Sequence, residues 1–147
     1  MIQRKQTLFL LAVAIIASIL YCLPFQMVNT AETSWPICLM PGCSPEINSN
    51  IYFPLVLNTL VLILSILIIF LYKNRVLQFK LTNLIILFNV VILGLFFLLD
   101  YVVIEAGRTI SFQLGAFLPV ISIVFAYLAS YFIKKDEQLV RSADRIR

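Results

Sequence analysis

The chain has 147 residues, 62% of them hydrophobic and only 12% charged, with a formal net charge of +4 and a mean hydropathy of +1.02. Soluble domains carry about twice that charged fraction, and a soluble core cannot absorb so much Leu, Ile, Val and Phe without large exposed patches. The composition therefore excludes a soluble domain and predicts one membrane domain. The sequence also lacks His, which removes the commonest metal ligand and the commonest general base.

The first predicted transmembrane helix covers residues 7–25. It follows a basic head containing Arg4 and Lys5, is apolar almost throughout, and ends at Pro24. A basic head before an apolar run is also typical of a secretory signal peptide. However, no pair of small residues at cleavage-site spacing follows the run, so we expect this helix to be retained.

Three further apolar stretches predict transmembrane helices at 51–72, 81–104 and 114–133. The remaining segments are polar or rich in Pro and Gly, and they predict a loop at 26–50, a tight turn at 73–80, a second loop at 105–113 and a tail at 134–147. Because short connections place successive helices antiparallel, the predicted fold is all-α: a polytopic, antiparallel four-transmembrane-helix bundle.

The cations predict the orientation of this bundle. Ten of the eleven Lys and Arg residues lie in the head, the 73–80 turn and the tail, and only Arg108 lies in a loop on the other side. Positive charge in short loops marks the cytoplasmic side of a membrane protein. Both termini and the turn are therefore expected in the cytoplasm, with the two loops outside. This distribution accounts for the net charge without a nucleic-acid partner.

Cys38 and Cys43 are spaced C-x4-C in the 26–50 loop, around a Pro-Gly turn. A structural disulfide, two free thiols and a redox-active pair are all open, and we predict the disulfide because the loop faces an oxidising compartment. Quinone-linked disulfide-forming enzymes require a CxxC motif and further outer cysteines, and the chain has neither. Two thiolates without His also fall short of a zinc site, so no metal or cofactor is predicted.

Asn58, Asn83 and Asn89 are the strongest polar residues within the predicted spans. They favour hydrogen bonding between helices, and a polar pathway for a substrate is the alternative. No span carries a charged residue near its middle, and such a charge is the usual mark of ion or proton coupling. Packing is therefore the favoured interpretation, and no catalytic residue is predicted.

The tail predicts a basic amphipathic helix. Its apolar and basic positions recur at helical spacing on opposite sides. The residues expected to contact lipid or a partner are Leu139, Val140, Arg141, Ala143, Arg145 and Arg147. Two binding surfaces remain open for this helix, the anionic cytoplasmic leaflet and a partner subunit.

The two ends of the chain carry a family resemblance. The head MIQRKQTLFLL and the tail DEQLVRSADRIR resemble the start and finish of uncharacterised four-helix membrane proteins from Bacteroidota, the domain of unknown function 4293. The resemblance extends over the whole chain and is most specific at Leu139–Arg145. It implies a Gram-negative inner membrane, with the outer loops in the periplasm. It implies no catalytic residue and no substrate.

Elimination predicts the function, because the sequence shows no nucleotide loop, metal set or catalytic constellation. We expect a small accessory or scaffolding subunit of a larger bacterial inner-membrane complex, without catalysis of its own. Its expected contacts are membrane lipids and other integral membrane subunits. The alternatives are a small transporter or channel component, as a homo-oligomer or otherwise, and a membrane thiol-redox protein that uses Cys38 and Cys43.

Overall fold

The structure is a computed structural model that describes residues 5–29, 33–40, 52–71, 74–105 and 109–145, with the backbone alone for 100–105 and 140–145. Most of it consists of four α-helices: α1 (Lys5–Cys22), α2 (Tyr52–Phe70), α3 (Arg75–Glu105) and α4 (Leu118–Arg145). All four are long and apolar enough to cross a membrane. The four predicted helices are therefore present.

The helices form an antiparallel bundle in which α1 and α3 lie diagonally across from one another. Helix α1 packs against α2 and α4, and α3 packs against the same two helices from the other side. The start of α3 lies beside the far part of α4, since the Arg75 Nη1 donates to the Asp136 carbonyl oxygen at 2.7 Å. We call this end of the bundle, with the starts of α1 and α3 and the α2–α3 connection, the turn end.

Buried residues follow a spacing of alternately four and three along the helices, as in a left-handed coiled coil. On α1 they are Gln6, Leu10, Val13, Ala17 and Leu20, and on α2 they are Pro54, Asn58, Val61, Ser65 and Ile68. The same rhythm continues on α3 through Gln78, Thr82, Ile85, Asn89, Ile92, Phe96 and Leu99. Helices packed in this way interlock their side chains in successive layers across the bundle.

A small antiparallel sheet covers the opposite end, which we call the sheet end. Its strands are β1 (Gln26–Asn29), β2 (Ser34–Ile37) and β3 (Thr109–Phe112), in the order β2-β1-β3. The fold is therefore mostly helical rather than all-α, because both predicted outer loops contribute strands. Pro36 is tolerated because β2 is an edge strand, where a missing N–H group costs least.

The bounds of the helices also differ from the prediction. Helix α1 ends at Cys22, and α3 begins at Arg75, so most of the predicted 73–80 turn is helical. A single 3-10 turn, Leu114–Phe117, precedes α4, and α4 runs on through the predicted tail to Arg145. Lys, Glu, Gln and Arg are good helix formers, which explains why the polar tail extends the helix without a break.

The sheet is joined tightly to the bundle where α1 ends. The Phe25 ring stacks on the Phe96 ring of α3, with centroids 4.1 Å apart. The Gly115 N–H donates to the Pro24 carbonyl oxygen at 3.1 Å. A Cβ atom at Gly115 would lie 2.5 Å from that oxygen, so this close approach requires glycine.

Candidate functional site: the polar layers of the bundle core

Hydrogen bonds between helices fix the register of the helices and so show which buried residues lie in the same layer of the core. Asn58 of α2 bonds Ala17 of α1, Gln78 of α3 bonds Ile68 of α2, and Ser130 of α4 bonds Asn83 of α3. Counting from these bonds, the turn-end layer contains Gln6, Ile68, Gln78 and Ile133. The next layer contains Leu10, Ser65, Thr82 and Ala129. The middle layer, beyond an apolar layer built on Val61 and Ile85, contains Ala17, Asn58, Asn89 and Ser122.

The middle layer holds two of the three predicted asparagines, and they do different things. Asn58 Nδ2 donates to the Ala17 carbonyl oxygen at 3.0 Å, which ties α2 to α1. Asn89 Nδ2 donates to the Ile85 carbonyl oxygen at 2.9 Å, within its own helix. Both side chains are buried. Ser122 is buried in the same layer, and its Oγ has no hydrogen-bond partner among the described residues.

Asn83 lies on the exposed side of α3 and not in a core layer. Its Oδ1 accepts a hydrogen bond from Ser130 Oγ of α4 at 2.9 Å. This bond fixes α3 against α4 from the outside. A further bond of 2.7 Å between the Tyr21 and Thr59 hydroxyl groups adds to the α1–α2 contact.

The turn-end layer contains two buried glutamines that were not among the predicted site residues. Gln6 and Gln78 are 3% and 2% exposed. Gln78 Nε2 donates to the Ile68 carbonyl oxygen at 2.8 Å, and the Oε1 atoms of both glutamines lack partners among the described residues. The four-and-three spacing of Gln78, Thr82, Ile85 and Asn89 was the signal in the sequence that could have found the polar layers.

Neutral groups supply the polarity of the core as far as the structure describes it. The buried polar residues of the described part are Gln, Asn, Ser and Thr, and none of them is Asp, Glu, Lys or Arg. Hydroxyl groups of the second layer are turned to the backbone, with Thr82 Oγ1 donating to Gln78 O and Ser65 Oγ to Leu62 O, each at 2.8 Å. Within the described ranges no group of three His, Cys, Asp or Glu residues could hold a metal ion. The amide and hydroxyl groups of this core can bind and orient another group by hydrogen bonding.

The sheet end of the core is covered by aromatic and amide groups. At this end the stacked rings of Phe25 and Phe96 are both buried. Gln26 lies beside them, and its Nε2 donates to the Phe96 carbonyl oxygen at 2.9 Å. This arrangement packs the strand β1 directly onto α3.

The cysteines lie in two different surroundings. Cys38 follows β2 and is buried, whereas Cys22 ends α1 and is exposed. Cys43 lies outside the described residues, so the Cys38–Cys43 disulfide stays a prediction.

All but one of the predicted contact residues of the tail lie on the last turns of α4. The Leu139 side chain is 60% exposed. Val140, Arg141, Ala143 and Arg145 lie on the same helix, and Arg147 lies outside the described residues. Helix α4 has 28 residues, or about 42 Å at 1.5 Å per residue, which exceeds the roughly 30 Å of a bilayer's hydrocarbon core.

Two apolar recesses lie on the outside of the bundle. One is an open groove of about 630 Å³ between α1 and α2, where Ala14, Ser18 and Cys22 follow one another at intervals of four. The other, of about 230 Å³, lies near the sheet end and is lined by Phe96, Phe97, Phe112 and Phe117 among others.

Gly94 of α3 faces outward, and no atom lies within 4 Å of where its Cβ would be. This glycine therefore does not serve close packing within the chain.

Fold and core together define a class: a mostly helical protein with four helices fit to cross a membrane and a core of neutral polar layers. The chain belongs to the family described as domain of unknown function DUF4293, whose model matches residues 2–146. The resemblance seen at the two ends of the sequence is therefore confirmed. No curated protein matches the chain.

Proposed function

We propose that the protein is a small accessory or scaffolding subunit of a larger bacterial inner-membrane complex, with no catalysis of its own. The proposal places both termini and the turn end in the cytoplasm and the sheet end in the periplasm of a Gram-negative cell of the Bacteroidota. Its support is the ten-to-one distribution of cations between the two ends.

The observation that carries the proposal is the neutral, layered core. The buried polar residues of the described part of the chain are uncharged, and several of them bond one helix to another, as Asn58 does to Ala17. Proton or ion coupling ordinarily uses charged groups inside the membrane. A core of this kind suits a rigid element that positions other subunits.

The extension of α4 is the part of the chain best suited to a partner. It passes beyond the length that a bilayer needs and carries the exposed Leu139 close to Lys134 and Lys135. Arg75 braces its base through the Asp136 carbonyl oxygen. Because the Arg75 hydrogen bond holds the extension in place, the exposed apolar side chain of Leu139 offers a contact whose position is fixed.

The test is purification of the tagged full chain from its own cells in a mild detergent, after chemical crosslinking in the membrane. We expect an integral membrane partner in a constant ratio, reduced by Leu139→Ala but not by the neighbouring control Gln138→Ala. A lone monomer before and after crosslinking would remove the accessory-subunit proposal. A partner retained equally in both variants would remove only the role of Leu139.

A transporter or channel component is the second candidate, and the unpartnered Ser122 Oγ in the middle layer favours it. Single cysteines at Ser122 and Asn89, in a cysteine-free chain, distinguish the two. Rapid reaction with a membrane-impermeant thiol reagent would support a water-filled pathway, whereas protection supports packing. A thiol-redox function of Cys38 and Cys43 is the third, and it requires that the pair cycle between oxidised and reduced forms in the cell.

A further inference from the structure

Two buried hydrogen-bond acceptors lie in the turn-end layer, on diagonal helices. Gln6 on α1 and Gln78 on α3 are each more than nine-tenths buried, and the Oε1 atom of each lacks a partner among the described residues. A buried polar oxygen without a hydrogen-bond donor costs stability, so the pair points to a donor that occupies this layer.

The orientation of the Gln78 amide follows from its surroundings. Its Nε2 donates to the Ile68 carbonyl oxygen, and turning the amide over would set two oxygens against each other. Oε1 is therefore the group that remains to be satisfied. The hydroxyl groups of Ser65 and Thr82 cannot serve, because each has one hydrogen and donates it to a backbone carbonyl.

We infer that Gln6 and Gln78 bind one buried water molecule, which donates a hydrogen bond to each Oε1 atom and so braces α1 against α3. A water molecule has two hydrogens, and the layer offers two acceptors. A metal cation would also suit oxygen ligands, but the described core holds no carboxylate to offset its charge. An uncompensated buried charge costs far more than a neutral, hydrogen-bonded guest.

A double-mutant cycle tests this inference, with Gln6→Met, Gln78→Met and the combination, each in the full chain in detergent. Met keeps the length of Gln but removes the acceptor. With a bridging water, either single change removes the guest and leaves the other oxygen unsatisfied. We expect each single variant to lower the thermal unfolding midpoint by about 3 °C, and the double variant to fall well short of the sum.

The control pairs Gln6→Met with Gln113→Met at the sheet end, where the two losses should add. Additive losses for Gln6 and Gln78 would overturn the inference. Higher midpoints for the single variants would do so as well, because removing a buried oxygen that binds no water stabilises the protein. Loss of the Gln78–Ile68 bond occurs in both the single and the double variant, so it cancels in the cycle.

Two further measurements distinguish a bound water molecule from a bound cation. Solid-state NMR of protein labelled at the glutamine side chains, in lipid vesicles, should show magnetisation transfer from water to the Gln78 amide, and Gln6→Met should abolish it. Transfer that is absent from the unmodified chain, or unchanged by Gln6→Met, would contradict the bridge. Replacing sodium and potassium by choline at constant ionic strength should leave the midpoint unchanged, and a fall would show a bound cation in place of water.

Discussion

Asn58 on α2 donates a hydrogen bond from Nδ2 to the main-chain carbonyl oxygen of Ala17 on α1, at 3.0 Å, and both residues are buried. Asn89 lies in the same layer but bonds within its own helix. Asn58 therefore represents a polar side chain that joins two helices, and Asn89 represents one that is buried in the core without joining them.

Asn58→Leu is expected to destabilise the protein by about 1 kcal/mol, because it removes a bond between helices. Asn89→Leu is its matched control and should cost less, since the bond it removes holds no second helix. Thermal unfolding in the same detergent measures both. Equal losses, or a greater loss for Asn89→Leu, would show that the Asn58–Ala17 bond does not hold α1 to α2.

Gly115→Ala is expected to destabilise the junction of sheet and bundle by about 1–3 kcal/mol. The new methyl group would meet backbone atoms of Pro24 at 2.5 and 2.8 Å, and backbone cannot move aside as a side chain can. Gly94→Ala is the control, because space is open there and alanine favours a helix. Thermal unfolding should show a lower midpoint for the first variant and an equal or higher one for the second.

Phe96→Ala should be far more disruptive than the same change at the adjacent Phe97. Phe96 is 1% exposed and stacks on Phe25, whereas Phe97 is 63% exposed. Soluble cores lose roughly 3–5 kcal/mol from such a truncation, and we expect about 2 kcal/mol here because lipid is itself apolar and only packing is lost. The measurement is the unfolding midpoint, and similar losses at the two positions would contradict the buried stack.

The disulfide prediction is tested by counting reactive thiols. The chain has three cysteines, and with Cys38 bonded to Cys43 only Cys22 should react in denatured, unreduced protein. Reduction before alkylation should raise the count to three in the mass spectrum. Cys43→Ser is the control and should leave two reactive thiols without reduction. Three reactive thiols in the unreduced, unmodified chain would show that the bond does not form.

Long apolar runs made the four helices predictable, because only a helix of that length satisfies its backbone across a bilayer. The sheet was not predictable, since each strand has four residues and its pairing joins Val28 to Ile110, far apart in the sequence. Helix bounds were misjudged at the polar ends, where Arg75 and Lys134 read as loop but favour a helix as well. The charge of a residue alone does not distinguish a loop from the polar end of a helix.

The candidate site was predictable only in part, for a similar reason. Asn58, Asn83 and Asn89 stand out from an apolar background, yet their partners depend on the rotation of each helix. That rotation places Asn83 outside the core and turns Asn89 to its own backbone. Gln6 and Gln78 escaped notice because both adjoin the charged segments, where a polar residue is expected to be exposed.

The most direct test of the accessory-subunit proposal is the mass of the native assembly. The tagged chain, expressed at its natural level, is released from its own membranes in lipid nanodiscs and weighed by native mass spectrometry. We expect a discrete assembly larger than the 16.8 kDa chain, containing a second integral membrane protein in a fixed ratio. A single chain, or copies of this chain alone, would contradict it.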